Sequence, residues 1–260
     1  MNYRILNVKK NKRVDFDVLV ETLKKKDIIY VGEFHQIPEV ISFQMDLISG
    51  LLRKDIHPAI GLEIFNVLQQ KLLDYYISRV IPFELFLSLY DMSPEGFDIN
   101  HYINLIEIAA KYRLKVIALT IPKNVAASVA RYGLDREALK TFHLKSREIK
   151  NCSKGYKKAI SSFYKKHPHK EITEENFILA QSIKDEMMAE TIAYHLTAEP
   201  TGIPLIVVVG RGHIEYGFGI PERVKQKLRK NKKSISDVLI ATAYDDEHFK
   251  KEIADYILLI

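Results

Sequence analysis

Four side chains able to do acid–base or metal chemistry follow short apolar runs in this chain. Glu33 and His35 come after the β-prone run 28–31, in Gly32-Glu33-Phe34-His35. Glu63 comes just after Gly61-Leu62, and His213 ends Gly210-Arg211-Gly212-His213 after the run 205–210. While the backbone stays extended, Glu33 and His35 point to the same side. If the three runs are parallel strands, all of these groups collect at one edge of one sheet, where open α/β sheets place their ligand sites. Two carboxylates and two imidazoles brought together suit a divalent metal, with His35, Glu63 and His213 as ligands, or a general acid/base pair. Arg211 adds a fixed charge beside them. Glycines 32 and 210 would let the backbone approach a ligand closely or turn sharply. A purely structural reading is equally concrete: Glu63 pairs with Arg211 and ties two strand ends together, Glu33 caps the next helix, and His35 is a satisfied buried imidazole.

Just past His213, Tyr216 and Phe218 lie on a glycine-flanked loop in HIEYGFGIP. Two rings there suit a flat ligand, or they are ordinary loop packing. On the helix that opens at Thr173-Glu174-Glu175, Gln181, Asp185 and Met188 share a face, which reads as packing on the side of the site. Acids in its first turn complement the helix dipole. The single cysteine, Cys152, has no metal-type spacing around it and excludes an internal disulfide. GRGH lacks the Gly-Lys-Ser/Thr pattern of a phosphate loop.

The elements that must position these groups alternate. Strands are expected at 28–31, 59–64, 115–120, 205–210, 238–244 and 256–260. Helices are expected between them, beginning with 14–26. The helix from Asn66 to Ser78 is expected to turn Val67, Leu68, Leu72, Tyr75 and Tyr76 inward. This alternation predicts an α/β fold, a mostly parallel sheet flanked by helices. The helical stretches 66–112 and 135–196 exceed what crossovers need. They predict a helical subdomain or lid over the carboxyl edge of the strands, within one domain spanning 1–260.

With 260 residues, 47% hydrophobic and 28% charged, the chain can bury a full core. A net charge of +6 is spread over scattered lysines, without any recognised nucleic-acid fold pattern, so no nucleic-acid partner is expected; a basic rim would attract a small anion. No run approaches the roughly 20 apolar residues of a membrane helix. The first residues lack an apolar signal core and a small-residue cleavage site, so the chain as written is expected to be cytoplasmic. A chain trimmed of an export signal would read the same.

GEFHQIPEVISFQ, IGLEIF, VIALTIPKNV, FILAQSIKDEMMAETIA and VVVGRGHIEYGFGIPERV, in that order, resemble the ChaN-like proteins of the haem-binding-uptake/Tiki superfamily. That superfamily includes TraB-like and erythromycin-esterase-like proteins. The resemblance spans residues 28–224. It implies an α/β core with a helical subdomain, and haem held at a homodimer interface by a tyrosine, for which Tyr216 is the matching position beside His213. It equally implies a metal-dependent hydrolase using Glu33, His35, Glu63 and His213 with Arg211. Two departures bear on this. Val40 and Ile41 stand where the family usually carries a histidine pair, and the usual Asn-Ile-Pro-Arg reads Thr120-Ile121-Pro122-Lys123.

Overall fold

In the apolar runs 28–33, 59–66 and 205–210 every residue is buried, so both faces of these strands must be covered. The computed structural model describes residues 3–91, 96–198, 202–245, 249–250 and 252–260. Among them one eight-stranded sheet is built from β1 (Arg4–Asn7), β2 (Lys12–Arg13), β3 (Ile28–Glu33), β4 (Ala59–Asn66), β5 (Val116–Thr120), β6 (Leu205–Gly210), β7 (Asp237–Ala243) and β8 (Tyr256–Leu259). The order is β2-β1-β8-β7-β3-β6-β4-β5. Strands β3 to β8 run parallel, and β1 and β2 add an antiparallel edge.

Side-chain alternation divides the core in two. Ile29, Val31, Ile60, Leu62, Ile206 and Val208 face α1 (Phe16–Leu23), α2 (Pro38–Leu52), α3 (Gln70–Ile77), α4 (Phe83–Asp91) and α5 (Ile103–Tyr112). Tyr30, Leu205, Val207 and Val209 face Met188 and Ile192 of α10 (Glu174–Ala198) and Val224 and Leu228 of α11 (Ile220–Lys230). Of the intervening helices α6 (Lys123–Tyr132), α7 (Arg136–Thr141), α8 (Ser146–Lys150) and α9 (Lys154–Lys166), α6, α8 and α9 pack on α10, and Leu139 of α7 joins the smaller core that Val129, Ile149 and Ile183 share.

Two local expectations change. The edge strands β1 and β2 have no apolar run of their own; β1 exists because Arg4 to Asn7 pair with β8, a contact from the far end of the chain. The helix after β4 starts with one tight turn over residues 67–69. Asn66 and Gln69 cap each other there, with Leu68 N–H on Asn66 Oδ1 and Asn66 N–H on Gln69 Oε1, both at 2.9 Å. That turn shifts the phase of α3. Leu73 and Tyr76 are buried, while Leu68 and Tyr75 face solvent.

Candidate functional site

Strands β3, β6 and β4 are neighbours, so their carboxyl ends place Glu33, Gly210 and Glu63 side by side. Gly32 makes this possible through space rather than through a turn. A Cβ there would lie 2.7 Å from Ile214 and 3.0 Å from the Arg211 backbone, so only glycine lets the 211–214 turn press on β3. Gly210 is the floor of the site: a side chain on it would meet His35 Nε2 at 2.9 Å, and Glu63 and His213 at 3.5 Å.

Each histidine is held by a carboxylate. His35 Nδ1 lies 2.7 Å from Glu33 Oε1. Glu33 also accepts from Tyr102 Oη and Gln44 Nε2, both at 2.5 Å. Burial first, then the Glu33 charge, raises the Tyr102 phenol above its usual range and keeps it a donor. His213 Nδ1 bonds Asp185 of α10. With both Nδ1 atoms engaged, the Nε2 atoms turn toward Glu63, His213 at 3.3 Å and His35 at 3.9 Å. Lys184, also on α10, donates to Glu63 Oε1 at 2.8 Å, and Gly210 N–H donates to Glu63 Oε2 at 2.7 Å. Burial pushes the Glu63 carboxyl up, but Lys184 and His213 outweigh it and hold it well below the usual range. Burial pushes His213 down, yet Glu63 and Asp185 raise it to about 9.

The structure therefore brings Glu33, His35, Glu63 and His213 together. Arg211 stands aside: it bonds Glu215 at 2.5 Å and the Thr242 carbonyl at 2.8 Å, and lies 4.6 Å over the Phe34 ring. The cation beside Glu63 is Lys184, not Arg211. Sequence reasoning missed Lys184, Tyr102 and Gln44 and took Asp185 for packing. The signal lay in the polar run Lys184-Asp185-Glu186, set between the buried Ile183 and Met188 of α10. Tyr216 lies at the same edge in a left-handed conformation, φ 59 and ψ 15. Its N–H bonds the Ile253 carbonyl at 2.8 Å, and its ring packs, half-buried, against the cluster of Ala241, Ala243 and Ile253. Phe218 packs directly over Gly155 of α9, where a Cβ would collide with the ring. Replacing Gly155 by valine is expected to displace Phe218 and lower stability by about 1–3 kcal/mol, read from urea unfolding; an unchanged midpoint would mean that the ring moves freely.

An α/β protein with paired carboxylate–imidazole groups at the carboxyl edge of a parallel sheet is thus defined. Residues 19–224 match the sequence family described as haem-binding uptake, Tiki superfamily, ChaN, and the chain belongs to that family. No curated protein matches the sequence. Among solved structures, the fold is similar to ChaN of Campylobacter jejuni, solved for its cofacial haem binding, with 19% identity, 98% of this chain and 96% of that one covered, and a TM-score of 0.74. It is similar also to an erythromycin esterase variant in its open conformation, at 14% identity, covering 94% of this chain and 77% of that one, with a TM-score of 0.50. Among the described residues no helix is long and apolar enough to cross a membrane.

Proposed function

We propose that this chain binds haem at the carboxyl edge of its sheet, with the Tyr216 phenolate as an axial ligand of the iron. The observation that carries this reading is the backbone of Tyr216. A bulky aromatic residue in the left-handed region costs on the order of 1–3 kcal/mol, and such strain gathers at ligand sites. Here it holds the ring three residues past His213 and just before Gly217 and Gly219, both also at positive φ. A phenolate is an established axial ligand for haem iron, and the bound haem would supply the iron chemistry. The family description and the cofacial haem binding of the Campylobacter jejuni protein support the reading. Two haems face to face call for two copies, so the proposal includes a homodimer.

Hemin titration followed in the Soret and visible bands tests it. Saturation at fixed stoichiometry is expected, with a tyrosinate-type spectrum lost in Tyr216→Phe. Non-saturating uptake, identical in the variant, would refute it.

A second reading rests on a different observation, the convergence of two carboxylate-held imidazoles on Glu63. An ester- or amide-cleaving site would use His35 to take a proton from attacking water, with Glu33 fixing its tautomer, Lys184 and His213 facing the developing negative charge, and Glu63 holding those two cations in place. Turnover of small ester substrates that disappears in His35→Ala is the expected result under this reading. Turnover that survives the substitution would remove it.

A further inference from the structure

A divalent ion at this edge would need several donor atoms facing one point. His35, Glu63 and His213 are the right residue types, and carboxylates behind both Nδ1 atoms are the partners that metal-bound histidines have. The point itself is taken. Lys184 Nζ lies 2.8 Å from Glu63 Oε1 and 3.4 Å from His213 Nε2. The other Glu63 oxygen accepts the Gly210 N–H, with His35 Nε2 3.9 Å away. Among the described residues, one group of three ligand-type side chains has donor atoms all within 4.8 Å of one another: Glu148, Glu186 and Glu190. That group is already neutralised, Glu186 by Arg223 and Lys227, Glu148 by Lys227 and Lys230, and Glu190 by Lys227. The family's metal-dependent chemistry therefore does not fit this donor set as it stands.

We propose that Lys184 is the resident cation of the site, holding the place between Glu63 and His213 that a divalent ion would need and keeping such ions out. Its helix fixes this arrangement, because the next residue, Asp185, bonds His213 on its far nitrogen. One stretch of backbone thus sets the ammonium and the imidazole together. An ammonium is a compact single charge with three donors and no acceptor. It receives a carbonyl, carboxylate or phosphate oxygen of a ligand by charge and hydrogen bond. It does not generate hydroxide from a bound water as a divalent ion does. The ligand class at Glu63 is therefore one that presents such an oxygen, handled without metal. The inference does not depend on haem binding at Tyr216, and a failed hemin titration leaves it in place.

Equilibrium dialysis against zinc and against manganese tests it on the full chain. Wild type and Lys184→Arg are expected to retain no ion that His213→Ala releases. Lys184→Met, which keeps the stem and removes the charge, is expected to gain one equivalent, bound at least tenfold tighter than in wild type. That equivalent should be lost again in Lys184→Met with His213→Ala. Circular dichroism melts establish that each variant is folded. A folded Lys184→Met that gains nothing overturns the proposal, as does a wild-type equivalent released by His213→Ala. If Lys184→Met does not fold, the comparison of wild type with His213→Ala decides alone.

Discussion

Replacing Glu63 by leucine is expected to lower the unfolding free energy by about 3–5 kcal/mol, the cost of breaking a buried ion pair from one side. Glu63 is 2% exposed and is the one carboxylate that Lys184, His213 and the Gly210 N–H share. Leucine roughly preserves volume, so the loss is electrostatic rather than a cavity. Two cationic groups stay at the strand ends without their counter-charge, and the Gly210 N–H loses its acceptor, itself worth about 1–3 kcal/mol when buried. Adding Lys184→Met to Glu63→Leu should recover part of the loss, because the stranded ammonium is then gone. Urea unfolding of the wild type, both single variants and the double variant measures this coupling. A Glu63→Leu protein within about 1 kcal/mol of wild type would mean that Glu63 is not the hub of the cluster. The sign for the acid limb comes from the same geometry. Since Lys184 and His213 hold the Glu63 carboxyl well below the usual carboxylate range, its stabilisation is complete above that range and fades only in stronger acid.

The strand ends were legible because their signal is local. Short, largely apolar runs that carry a glycine with a polar side chain within two residues after it describe β3, β4 and β6 whatever surrounds them. Parallel pairing then requires their carboxyl ends to meet, and Glu33, His35, Glu63 and His213 meet with them. What the sequence hid is what reaches the site from elsewhere. Tyr102 lies 69 residues from Glu33, and Lys184 lies 121 residues from Glu63. Tyr102 sits at the N-cap of α5 and Lys184 on α10, and the periodicity of those segments reports only which face is buried, not what that face meets. Asp185 looked like packing for that reason: it is buried on the inner face of α10, and a buried position by spacing looks the same whether its neighbour is methyl or imidazole. The pairing of Glu63 with Arg211 failed differently. The two are close in the fold, but Arg211 leans away over Phe34 toward Glu215 and β7, leaving the cation's place to Lys184. The phase error after β4 came from the mutual capping of Asn66 and Gln69, whose tight turn periodicity does not register.

Between pH 6.5 and about 9 the protein is expected to lose roughly 2–4 kcal/mol of stability through His213 alone. Burial works against the imidazolium, but Glu63 and Asp185 on opposite sides of the ring overcome it, even with Lys184 nearby. A pKa raised in the folded state means that the fold binds the proton more tightly than the unfolded chain does. The stabilisation is therefore complete below the unfolded value near 6.5 and is lost as pH rises through about 9. Urea unfolding from pH 6 to 10, compared between wild type and His213→Gln, isolates this contribution from other groups that titrate in the same window. The two curves should converge toward pH 9 and above; curves that stay parallel across the range would refute the assignment. Glu63→Leu should flatten the wild-type slope too, because it removes the largest attraction on the ring. The consequence for the site is a division of labour between the two imidazoles. Near neutral pH a charged His213 donates through both nitrogens and serves as a fixed positive group beside Glu63. Under the hydrolytic reading the proton acceptor must then be the other imidazole, His35, whose Nδ1 is tied to Glu33.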